Sequence, residues 1–155
     1  MTEQDHTERT LVIIKPDAVQ RRLVGEIITR FERRGLCIIA MKMMHIDRPL
    51  AERHYAVHKG KPFYESLLHF ITVAPVVVMA LEGPHCISTV RRMMGATNPT
   101  EAEPGTIRAD FATHVQYNLV HGSDSQDTAK REIELFFTPQ EFVSQPHSTD
   151  LFAFQ

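Results

Sequence analysis

An α+β sandwich of the ferredoxin-like kind is the fold this sequence predicts, with a four-stranded antiparallel sheet and helices packed on one face. Three observations point to it. Apolar runs rich in β-branched residues recur with helical patterns between them. The order reads β, α, β, a helical pair, β, α, a long loop, β, α. Finally, no internal repeat, low-complexity tract or linker divides the chain, and its 155 residues are enough to bury a core without staples.

Each element has its own local reason. The run TLVIIK at 10–15 is a buried strand stopped by Pro16. Val24, Ile27, Ile28 and Phe31 then fall at i, i+3, i+4 and i+7 among charged residues, and Gly35 ends that helix. Residues 36–46 fit a second strand. Pro49 opens a short helix to about residue 58, and a third helix over 63–71 stops before Pro75, so the two form a helical hairpin. Residues 76–81 read as the third strand. Pro84 begins a helix that carries Ile87, Val90 and Met94 inward, with Arg91 and Arg92 near its C-terminal end. From 95 to about 112 two glycines and two prolines break every period, which predicts a long loop of the functional kind. A fourth strand over 115–120 leads into His121. The last helix, 125–137, puts Ala129, Ile133 and Phe136 on one stripe, with Glu132 inside the stripe rather than opposite it. A carboxylate aimed inward needs a partner.

Composition narrows the function. Apolar residues make up 43%, charged residues 23%, and the formal net charge is −2, so nothing calls for a polyanionic partner. The arginines around the first long helix (Arg21, Arg22, Arg30, Arg33, Arg34) read as a solvated face, and nucleic acid is not indicated. Cys37 and Cys86 lie in apolar runs, as buried thiols of a reducing compartment do. The N-terminus MTEQDHTERT is polar, and no apolar run approaches the ~18 residues of a membrane span. The expectation is a cytoplasmic chain forming one domain over 1–155. Within it, 1–8 would be a polar extension and 143–155 a tail whose aromatic end, LFAFQ, needs a docking site that a neighbouring subunit could supply.

One stretch reads as built for chemistry. In NLVHGSDS, residues 118–125, His121 ends a strand and precedes a helix start, so its imidazole stands beside backbone N–H donors that attract anions. Ser123 and Ser125 can cap that helix. A neutral imidazole is nucleophilic near pH 7, and what it needs is orientation, which Glu132 could supply through one ring nitrogen while the other attacks. The remaining histidines read as surface or satisfied core residues. His54 and His58 stand at i, i+4, a spacing that could suit zinc, but no third ligand and no HExxH accompany them, so a solvated helix or a phosphate contact fits better. The chain carries neither GxxxxGK[ST] nor GxGxxG. Any nucleotide phosphates must then be held by separate side chains, for which Lys15, Tyr55, Arg91, Thr97 and Arg108 are suited.

In this order, ERTLVIIKPDAVQR, HYAVHKGKPF, GATNP, GTIRADF and NLVHGSDS resemble nucleoside diphosphate kinase, over about residues 8–142. The resemblance implies a ping-pong phosphotransferase: a nucleoside triphosphate such as ATP or GTP gives its γ-phosphoryl to a histidine, and a nucleoside diphosphate such as GDP takes it away. By motif position the carrier is His121, supported by Ser123 and Glu132. Lys15, Tyr55, Arg91, Thr97 and Arg108 would hold the phosphates, with His58 near the inner ones. The base would lie between Phe63 and Val115, with broad base specificity, and Lys15 and Asn118 would hold the ribose hydroxyls. Mg²⁺ would ride on the phosphates, reached by Asp124 through water. A hexamer built from dimers is also implied. Ala18 and Arg22 stand where many members carry glycine, and Gln116-Tyr117 replaces a commoner small-basic pair; these departures bear on turn geometry, surface charge and base preference. Two other classes share parts of this chemistry. A nucleotide-binding regulatory module without turnover would lack the nucleophile or its phosphate clamps, and a histidine phosphatase would pass the phosphoryl group to water.

Overall fold

The computed structural model describes residues 7–144. Four strands, β1 (Thr7–Ile14), β2 (Cys37–Met44), β3 (Val76–Pro84) and β4 (Val120–Gly122), form one antiparallel sheet in the order β2-β3-β1-β4. This is the ferredoxin-like arrangement. Around it run α1 (Pro16–Gln20), α2 (Val24–Arg33), α3 (Arg48–His54), α4 (Tyr64–Thr72), α5 (Cys86–Met94), α6 (Ile107–Phe111) and α7 (Gln126–Phe136).

Helices cover both faces of the sheet, not one. Val12, Ile14, Val77, Met79 and Leu81 pack with Ile27 and Phe31 of α2 and Val90 and Met94 of α5. Alternate residues of the same strands, Leu11, Ile13, Val76, Val78 and Ala80, pack on the opposite side with Ala51 of α3, Leu68 and Ile71 of α4, and Ile133 and Phe136 of α7. The sequence carried this signal: a strand reading LVII without alternation is apolar on both faces and must be covered on both. The helical hairpin is therefore part of the second layer.

Two expected elements differ. Residues 115–118 are not strand; β4 starts at Val120, because Leu119 has φ 76°, a left-handed kink that breaks the extended run. His121 accordingly lies within the strand. The long loop also contains a 3₁₀ turn at Pro99–Glu101 and the five-residue α6, capped by the Thr106 hydroxyl accepting from Ala109 N at 3.2 Å. An element of little more than one turn leaves no period to read. Pro16 does double service, ending β1 and opening α1 as its first residue.

The chain ends hold two smaller differences. Thr7 and Glu8, expected in a polar extension, already belong to β1, opposite Pro84 and Gly83. Val143, the first residue of the expected tail, donates its N–H to Ile39 O at 2.8 Å, while 1–6 and 145–155 lie outside the described residues.

Candidate active site

Strand alternation places the histidine. Val120 and Gly122 face α5, where a Cβ on Gly122 would come within 2.7 Å of Met94 Sδ and 3.1 Å of Val90 Cγ1, so this position needs glycine. His121, between them, points to the other face, where α3 and α7 lie.

Ser125 sets the course of α7, its hydroxyl accepting from Thr128 N at 3.1 Å as the N-cap. The helix then runs back along the sheet and brings Glu132 under the imidazole. His121 Nε2 lies 2.9 Å from Glu132 Oε2 and 3.0 Å from Oε1. Ser123 Oγ donates to Oε1 at 2.7 Å and accepts the Leu11 N–H at 3.2 Å, so the carboxylate is moored to the central strand. Burial works against the charge of Glu132, but the His121 and Ser123 hydrogen bonds outweigh it and hold its acidity below the usual carboxylate range. An ionised acceptor fixes the proton on Nε2 and leaves the lone pair on Nδ1. Among the described residues nothing hydrogen-bonds Nδ1. The ring borders a cavity of about 200 Å³ shared with Tyr55, His58, Arg91 and Asp124, room for a phosphate end rather than a whole nucleotide.

Cations gather on one side. Arg108, only 5% exposed, donates to Asn118 O at 3.2 Å, Gly95 O at 2.9 Å and Val120 O at 2.7 Å. Three of its five N–H groups thus clamp the loop, leaving two for a ligand. Burial first and Arg91 second push its pKa down to about 10. Lys15 is pushed down to about 8 by burial and then by Arg108, against a smaller opposing pull from Asp17. Burying mutually repelling cations without enough carboxylate to balance them makes a place that an anion stabilises. Arg91 donates to Gly122 O at 3.1 Å, on the residue next to His121.

Asn118 joins these parts. Its Oδ1 accepts from Lys15 Nζ at 2.8 Å and its Nδ2 donates to Thr97 O at 3.0 Å. The left-handed Leu119 makes this possible: its N–H donates to Asp17 Oδ2 at 3.2 Å and its carbonyl accepts Lys15 N at 2.8 Å, which locks the turn to β1. Tyr55 is buried; burial first and Glu132 second raise its pKa, so it stays a neutral donor.

The remaining predicted residues stand farther out. His58, lowered in pKa by burial and then Lys61, has its ring centroid 5.4 Å from that of Phe63. Phe63 and Val115 are 46% and 49% exposed. Thr97 and Asp124 are exposed, Asp124 at the rim of the 200 Å³ cavity. It is an oxygen ligand that could reach a hydrated cation on a phosphate.

Sequence reading missed His54. Its buried ring has its centroid 4.8 Å from that of His121, edge to face, and burial, then the charge of His121, push its pKa down to about 3. The His54–His58 spacing had drawn attention to it, but its neighbour is Glu132, which only the fold brings close. Ligand atoms of His54, His121 and Glu132 all lie within 4.8 Å of one another. A cation there would have to displace the proton shared by His121 and Glu132, with the charges of Lys15 and Arg131 opposing it. Larger cavities, of about 610 and 530 Å³, are lined elsewhere and include none of His121, Lys15, Arg91 or Arg108.

A family model described as nucleoside diphosphate kinase matches residues 8–142. A nucleoside diphosphate kinase of Listeria monocytogenes serotype 4b is 59% identical over 143 residues, covering 92% of this chain and 97% of that protein. One of Pyrococcus horikoshii is 56% identical over 149 residues, covering 94% and 95%. Among solved structures, a halophilic nucleoside diphosphate kinase from Halobacterium salinarum in complex with CDP superposes with a TM-score of 0.92 at 45% identity, covering 97% of this chain and all of that one.

Proposed function

The chain belongs to the nucleoside diphosphate kinase family, and from that premise we propose how its own residues carry out the reaction. It is a phosphotransferase that moves the γ-phosphoryl of a nucleoside triphosphate to a nucleoside diphosphate by a ping-pong route through a phosphohistidine. The carrier is His121, attacking through Nδ1. In the first half-reaction the Nδ1 lone pair forms the N–P bond, the bond from the γ-phosphorus to its bridging oxygen breaks, and that electron pair leaves on the diphosphate. The second half-reaction is the reverse with a different nucleoside diphosphate. The observation that carries this reading is the Nε2 contact of His121 with Glu132 at 2.9 Å, which leaves the Nδ1 lone pair free on a ring that lines the cavity.

Phosphoryl transfer asks mainly for positioning and charge stabilisation. Arg91, Arg108, Thr97 and Tyr55 supply donors to the phosphates, with His58 toward the inner ones and Lys15 serving both phosphate and ribose. Asn118 holds the ribose, and exchanging its Lys15 contact for a hydroxyl costs little because both are hydrogen bonds. The base lies between exposed Phe63 and Val115, where stacking and apolar contact accept any base. A divalent cation accompanies this family's reaction; Mg²⁺, neutralising phosphate charge and held by Asp124 through water, fits the exposed carboxylate at the cavity rim.

No helix among the described residues is long and apolar enough to cross a membrane. A cytoplasmic location agrees with the buried Cys86 thiol. The edge strand β2 presents exposed Met41 and Met43, an edge that a second copy can cover as the first step to a hexamer. Intact-protein mass after brief incubation with ATP and Mg²⁺ tests the reading. Wild type should gain one acid-labile phosphoryl group that GDP discharges as GTP, and His121→Ala should gain none. An adduct retained by His121→Ala would refute the assignment.

A further inference from the structure

Buried polar atoms almost always find partners, yet among the described residues both ring nitrogens of His54 have none. His54 Nδ1 points at the site and stops 3.5 Å from Glu132 Oε2, beyond hydrogen-bonding geometry. The tautomer with the proton on Nδ1 keeps a lone pair from facing a carboxylate. Tyr55 and Phe136 hold the ring on its other sides, with centroids 4.6 and 5.5 Å away. The desolvated position keeps the ring neutral, so it offers Glu132 a donor without adding charge.

Building on His121 as the carrier, we infer that His54 is a positioning residue acting through Glu132: its Nδ1–H closes on Oε2 when His121 is phosphorylated and keeps the Nε2 proton on the imidazole. The chemistry gives the reason. Once Nδ1 has taken the phosphoryl group, the Nε2 proton can stay on the ring or pass to Glu132. A ring that keeps it is a good leaving group, because breaking the N–P bond returns a neutral imidazole. A ring that has lost it must leave as an imidazolate and holds its phosphoryl group. Glu132 already receives Ser123 Oγ and His121 Nε2, and a third donor weakens it as a base, which keeps the phosphohistidine ready to discharge.

Pre-steady-state discharge of the isolated phosphoenzyme by GDP, in the intact oligomer, separates this role from simple packing. His54→Leu fills the space without a donor, and His54→Asn restores an N–H near the place of Nδ1. We expect discharge by His54→Leu to slow roughly tenfold, the scale of one hydrogen bond to a charged group. KM for GDP should be unchanged, and His54→Asn should recover most of the rate. The nitrogen chemical shift of His121 Nε2 in phosphorylated His54→Leu should move toward the deprotonated value. Equal discharge by wild type and folded His54→Leu, or equal slowing in both variants with the wild-type Nε2 shift, would overturn the inference. Wild type that takes up no phosphoryl group would instead overturn the carrier role of His121, and this inference with it.

Discussion

Replacing Ser123 with alanine removes two hydrogen bonds at one buried point. Its hydroxyl accepts the Leu11 N–H at 3.2 Å and donates to Glu132 Oε1 at 2.7 Å. Ser123 N still donates to Leu11 O at 3.2 Å, but the Leu11 N–H goes to the Ser123 hydroxyl rather than to a carbonyl, so removing the hydroxyl takes away its acceptor. An unpartnered buried N–H costs about 1–3 kcal/mol, and a hydrogen bond to a charged group contributes about 1.5–3 kcal/mol. Glu132 is only 3% exposed, so water does not readily substitute, while His121 Nε2 still holds the carboxylate and favours the lower ends of both ranges. The expected loss is about 3 kcal/mol, a large share of the ~5–15 kcal/mol of a typical domain. Guanidinium unfolding at one fixed protomer concentration measures it, with the denaturant slope unchanged. The deficit should shrink under acid. Glu132 has its pKa depressed below 4.5 in the fold, so the stability its charge contributes is present above that pH and lost as pH falls through the folded value; the hydroxyl's share goes with it. A loss under about 1 kcal/mol, or one independent of pH, would refute the reasoning.

Other perturbations follow from the same geometry. Arg22 has φ 62°, and Arg22→Gly should stabilise by roughly 0.5–1 kcal/mol; a lower Tm would contradict this. Glu132→Gln keeps the shape of the acceptor but loses its charge, so single-turnover phosphoryl uptake from ATP should slow by about 10²-fold, and an unaltered rate would remove Glu132 from the reaction. Lys15 titrates near 8 in the free protein, so kcat/KM should fall as pH rises through that value and its cation disappears; Lys15→Met should show a low, flat profile over the same range. The folding sign for Lys15 is opposite: because the folded protein gives up this proton before the unfolded chain does, stability gains as pH rises from about 8 toward 10.5. Arg108→Lys offers three donors without the planar fork that reaches three carbonyls, so both Tm and activity should drop, and an unchanged Tm would deny the clamp.

Much of this was legible in the chain, for identifiable reasons. The stripe of α2 and the unbroken apolar runs of β1 and β3 gave those elements because period and burial coincide in them. Glu132 announced itself as a carboxylate within an apolar stripe, and its partner is the histidine that sequence had singled out. Short α1 and α6 were hidden because one turn carries no period, and β4 was displaced by a left-handed leucine, a conformation that residue type does not signal. The second helical layer was written in the lack of alternation along LVII, a signal that strand-by-strand reading passes over. His54 is of another kind: a histidine on a short helix looks like any other until α7 places a carboxylate beside it.

The central claim is that the phosphoryl group travels on Nδ1 of His121 while Glu132 keeps Nε2. Phosphorus–nitrogen coupling in the NMR spectrum of the phosphoenzyme, prepared with isotope-labelled histidine, reads the bonded nitrogen directly. Coupling to Nδ1 of His121 is the predicted result. Coupling to Nε2, or to any other histidine, would contradict the account.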